Sequence, residues 1–148
     1  MADSATPMPK EFARRLLAYE VASARPAEAN DSTAFHVCEK LRPSLSKFLG
    51  VDGFRSLLAR ALARAGAEIP WMRALHIKAD GSLEGLDELK RKLDSSSVAE
   101  GELALVEQLL GLLVIFIGRA LTLELLHDIW PRFDGQKFLK EGEHYEEK

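Results

Sequence analysis

The sequence predicts a mainly α-helical single domain: a bundle of four to five helices with a buried C-terminal helix and a small β-hairpin or irregular insert around residues 74–84. Three observations carry this. Apolar side chains recur at steps of three and four over most of the chain, the period of one helix face. Glycine, proline or Asp-Ser runs punctuate these stretches where a helix has to stop. The decade Leu109–Gly118, LLGLLVIFIG, carries no polar side chain, so a helix there has to be covered on nearly every side.

The first nine residues are polar and hold two prolines, which predicts a loose N-terminus, residues 1–9, ahead of a helical domain over 10–131. Phe12, Leu16 and Tyr19 set an amphipathic helix from Lys10 to about Ala24, ended by Pro26 and the polar run after it. The next helix starts at Asp31 or Ser32 as N-cap and buries Ala34, Val37, Leu41, Leu45 and Phe48. Pro43 lies inside it and predicts a kink, and Gly50 a stop. Asp52 caps a third helix with Phe54, Leu57, Leu58, Ala61 and Leu62 inward, and Gly66 ends it.

Character then changes. Leu75, Ile77 and Ala79 alternate with His76 and Lys78 into Asp80-Gly81, a hairpin signal with only Ser82-Leu83 to return. Leu86–Leu93 reads as a short charged helix. Ser97-Val98-Ala99-Glu100 matches a capping box, with Ser97 as N-cap, opening one long helix to Ile129 or Trp130, where Pro131 stops it. Residues 132–148 show no sustained period and predict a mostly disordered tail with at most one docking contact through Phe133, Phe138 or Leu139.

At 148 residues the chain can bury a sizeable core without staples. Its single cysteine, Cys38, excludes an intramolecular disulfide framework and, with no apolar leader at the N-terminus, points to a reducing, cytoplasmic setting. A membrane span needs about 20 predominantly apolar residues, and widening the apolar decade to that length takes in Glu107, Gln108 and Arg119. No membrane contact is predicted. The net charge of −3 is unevenly divided: residues 1–78 hold 12 Lys/Arg against 8 Asp/Glu, and residues 79–148 hold 8 against 15. This is not the clustered basic footprint of a nucleic-acid binder; it suits steering between copies or toward an anionic partner.

On the long helix Ala104, Gly111 and Gly118 fall seven residues apart on one line. Glycine inside a helix costs about 1 kcal/mol relative to alanine, so the line predicts a close helix approach. Ala104, Gly111, Ile115, Gly118, Arg119 and Thr122 are therefore the candidate interface, filled by another helix of the same chain or by a second copy in a dimer. Arg55, Arg60, Arg64 and Arg73 form a candidate surface for an anionic ligand or an acidic protein. Trp71 and Trp130, both beside prolines, are candidate pocket residues.

No catalytic, metal or cofactor motif is found: the sequence has no HExxH, CxxC, phosphate loop or Gly-x-Ser-x-Gly elbow. Asp80–Gly85 imitates the start of a calcium loop, but Arg91 stands where a bidentate carboxylate is required. Lys40-Leu41-Arg42-Pro43-Ser44-Leu45 resembles a short stretch of histidine-kinase dimerisation helices, with Glu39 in place of the phosphoacceptor histidine, so no phosphoryl transfer is implied. The expectation is a non-enzymatic intracellular interaction module that self-associates through its long C-terminal helix. The alternative is a sensor-like domain binding a small apolar or anionic ligand between helices.

Overall fold

The computed structural model describes residues 7–23 and 33–133. They form a mainly helical domain of six α-helices and a two-stranded sheet: α1 (Pro7–Ser23), α2 (Thr33–Leu49), α3 (Val51–Glu68), β1 (His76–Ile77), β2 (Leu83–Glu84), α4 (Leu86–Lys92), α5 (Ser95–Ile117) and α6 (Arg119–Ile129). A 3₁₀ turn over Pro70–Ala74 follows α3. The strands pair antiparallel, His76 opposite Glu84 and Ile77 opposite Leu83, around the Asp80-Gly81 turn that the alternation predicts. Gly81 takes φ +91°, which a glycine supplies without strain.

The 23-residue α5 is the post of the bundle and packs against α1, α2, α3 and α6. Leu105, Leu109, Leu110 and Leu113 are wholly buried on it, each burial worth about 1.5–3 kcal/mol. They meet Phe12 and Leu16 of α1, Leu41 and Leu45 of α2, and Phe54 and Leu58 of α3 in one continuous core. Trp71, just past α3, lies on Gly101 near the start of α5, and Arg60 of α3 lies on Phe116 near its end. These two contacts run α3 and α5 in opposite directions.

The termini of several elements differ from expectation. The caps expected at Asp31 and Ser32 lie outside the described residues. α3 starts at Val51 with Gly50 as its N-cap, and Asp52 sits in the first turn, paired with Arg55 at 3.6 Å. Gly66 does not end α3: it is buried inside the helix, with the Arg73 side chain laid over it and Arg73 Nε donating to its carbonyl at 3.1 Å. α2 continues through Pro43 as one helix. The cap of α5 is Asp94, whose Oδ1 accepts from the Ser97 amide at 2.8 Å; Ser97 is thereby inside the first turn. Hydrogen bonds from the Ser97 hydroxyl, first, and from its amide hold the Asp94 carboxyl below its usual range.

The largest correction concerns the long helix. One helix was expected from Val98 to Trp130, and there are two, α5 and α6, meeting at Gly118. Gly118 has φ +88° and ψ 160°, conformations a side chain resists. The glycine read as a groove floor is a corner.

Candidate functional site

The α5–α6 corner is one of the places where the described residues leave apolar surface uncovered, alongside Val21 and the pair Phe48 and Val51. The last turn of α5 and the first of α6 expose Ile115 (67%), Phe116 (53%) and Leu121 (38%). The corner itself is well made. The Gly118 amide donates to the Val114 carbonyl at 2.9 Å, and both the amide and the hydroxyl of Thr122 donate to the Gly118 carbonyl, the hydroxyl at 2.7 Å. The exposure is therefore a property of an ordered corner.

Charge borders this surface on two sides. The Arg60 guanidinium stands 5.9 Å from the centre of the Phe116 ring, a cation–π contact worth about 0.5–1 kcal/mol at an exposed site. Arg64 follows one turn along α3 and is exposed. On α6, residues advance 100° each around the helix, so Leu121, Glu124 and Asp128 share the outer face; all three are exposed. Thr122 and Leu126 point the other way, into the core. The corner thus joins a basic edge on α3 to an acidic face on α6.

The structure divides the candidate interface. Ile115, Gly118 and Arg119 are exposed at the corner, Gly111 is half-buried, and Ala104 and Thr122 are buried within the chain. Close approach does occur on α5, but at Gly101 and by a side chain: the Trp71 ring takes the space a Cβ would need. Phe116, Leu121, Glu124 and Asp128 were missed, because a single uninterrupted helix gives no reason to distinguish them. Their signal was the acidic pair spaced i,i+4, the counterpart of Arg60 and Arg64.

The four arginines do not converge on one site. Arg60 and Arg64 are exposed, Arg55 pairs with Asp52, and Arg73 is bound to the backbone of α3. The two tryptophans do not share a pocket either. Trp71 packs on Gly101 and Met72, while Trp130 is buried and its Nε1 donates to Glu20 Oε2. That carboxylate, on α1, also accepts from Lys40 Nζ of α2 at 2.8 Å. Beside it Phe133 packs edge-on against Phe12, with ring centres 5.2 Å apart, and tilted against Tyr19. Phe138 and Leu139, the other docking candidates, lie outside the described residues.

A cavity of about 330 Å³ opens between the start of α2 and the β2–α4 segment, lined by Phe35, Leu83, Glu84, Gly85, Leu86 and Glu88. It contains neither tryptophan, and two glutamates on its wall oppose an anionic ligand.

Cys38 is buried, and that burial, reinforced by Glu39, pushes its thiol up to about 12. A thiol so protonated is a poor nucleophile. Among the described residues no group of three or more His, Cys, Asp or Glu side chains is placed to hold a metal ion. No helix among them is long and apolar enough to cross a membrane. The chain matches no protein-family model, no curated protein and no solved structure.

Proposed function

We propose that this chain is a helical interaction module that self-associates through the corner between α5 and α6. The observation that carries the reading is the group of Ile115, Phe116 and Leu121, three of the six exposed large apolar side chains among the described residues, set on either side of Gly118. Large exposed apolar groups in a contiguous patch mark association surfaces more often than scattered ones do. The glycine line on the long helix suggested the same assembly with a different face: the surface offered is the end of α5 and the outside of α6, since Ala104 and Thr122 are occupied within the chain.

Light scattering on a sizing column over a wide dilution range tests this. The expected result is a dimer for the wild-type chain, and a folded monomer when Ile115→Ser and Phe116→Ser are combined. A wild-type chain that stays monomeric at the highest concentration reached would overturn the reading.

A further inference from the structure

The exposed charges flanking the corner form a matched pair of stripes, one on α3 and one on α6. On α3, Arg60 and Arg64 are four residues apart and exposed, and Glu68 continues the same line one turn later. On α6, Glu124 and Asp128 are four residues apart and exposed, with Arg132 four residues further in the turn after the helix. Read along the chain, the first stripe is plus, plus, minus and the second minus, minus, plus. Four residues of helix rise ~6 Å on either helix, so the two stripes laid side by side in parallel bring Arg60 opposite Glu124 and Arg64 opposite Asp128. Among the described residues none of Arg64, Glu124 and Asp128 has an ion-pair partner inside its own fold.

We propose that the partner at the corner is a second copy of this chain, docked about a two-fold axis so that α3 of each copy lies along α6 of the other, Arg60 and Arg64 against the partner's Glu124 and Asp128. This rests on the self-association reading and specifies its geometry. A two-fold axis along the bisector of the α3 and α6 directions carries each helix direction onto the other, so one operation makes both contacts at once and closes the pair. Phe116, held under Arg60, and Leu121, on the acidic face, lie within the two stripes and supply the apolar centre. The charged stripes form its rim, where they set register and partner choice. The uneven division of charge along the sequence, basic before residue 79 and acidic after it, is the same complementarity seen at lower resolution. Two α3 helices laid side by side in parallel would set arginines against arginines, and laid antiparallel would still oppose Arg64 to its own copy, so this alternative matches fewer charges.

Charge exchange on the full chain tests the pairing. One variant carries Arg60→Glu and Arg64→Glu, the other Glu124→Lys and Asp128→Lys; thermal melts confirm that both fold. Each alone should dimerise at least tenfold more weakly than wild type at low salt, because both of its contacts become repulsive. Mixed in equal amounts they should form a heterodimer approaching wild-type affinity, since mixing makes both contacts attractive again; loss of a ring contact by Arg60 cannot produce such rescue. A dimer indifferent to both exchanges, or exchanges that weaken it without rescue on mixing, would overturn this pairing while leaving self-association standing. An open series of larger species in place of a dimer would overturn the two-fold closure. A wild-type monomer would overturn self-association itself, and the pairing with it.

Discussion

Gly50 and Gly118 turn two pairs of helices with almost the same backbone, φ 85° and ψ 158° at the first and φ 88° and ψ 160° at the second. The sequences leading in are also alike, Phe48-Leu49-Gly50 and Phe116-Ile117-Gly118, and the two phenylalanines are equally exposed, at 52% and 53%. In each, the glycine amide closes the helix before it and the residue four places on closes the helix after it. The surroundings differ. Beyond Gly50 that fourth residue is Phe54, a core ring against which the hairpin turn at Gly81 is packed. Beyond Gly118 it is Thr122, which holds the corner through one hydroxyl. Of the two rings, Phe116 alone has a cation over it among the described residues. Identical backbone chemistry thus makes a structural joint in one place and, on our reading, a contact surface in the other.

The comparison can be broken most severely at its anchors. Phe54→Ala should cost about 3–5 kcal/mol, the usual loss for emptying a core aromatic position, read as a lowered midpoint in urea. The corner glycines come next. No atom outside the adjoining residues lies within 4 Å of where a Cβ would stand at either, so Gly50→Ala and Gly118→Ala should each cost chiefly the strain of an extended positive-φ backbone, about 1–3 kcal/mol. Values differing by much more than 1 kcal/mol in denaturant titrations would show that the corners are not equivalent. Thr122→Val should cost about 1 kcal/mol, since the Gly118 carbonyl keeps its backbone donor when the hydroxyl is lost. The gentlest change sharpens the contrast most. Phe48→Ser and Phe116→Ser should each alter stability by about 1 kcal/mol or less, yet only the second should weaken dimerisation. Equal effects of the two on sizing-column profiles would place the contact at both corners or at neither.

Much of this fold is written in periodicity. The stripes of α2 and α3 name most of their buried residues, although Phe48, counted in the α2 stripe, is exposed, and the Asp80-Gly81 turn locates the hairpin. What periodicity hides is where a helix changes direction without changing composition. Residues on both sides of Gly118 are apolar and helix-compatible, so only the positive φ, a tertiary outcome, separates α5 from α6. Gly101 was obscured differently. Flanking glutamates make it look like surface, whereas Trp71, thirty residues earlier, needs the missing Cβ. Four consecutive cap-forming residues, Asp94 to Ser97, leave the start of α5 undecided by pattern alone. The basic edge of the candidate site was legible as Arg60 and Arg64; its acidic counterpart, Glu124 and Asp128, carried only the i,i+4 spacing of two charges, which does not say that they share a face with Leu121.

The clasp at Glu20 has a consequence for how the chain is assembled. Its carboxylate is 110 residues from the indole it accepts from, and α1 spends its apolar face mainly on α5. The first of the described helices is therefore completed by nearly the last described residues. While the intervening chain is being made at about 5–20 residues per second, Phe12, Leu16 and Glu20 lack their final neighbours. Compaction can begin among α2, α3 and the hairpin, whose contacts are local, and local contacts form fastest. Docking of α1 then closes the bundle as a late event, and ending the chain before Trp130 would leave the opening helix without its buried counter-group.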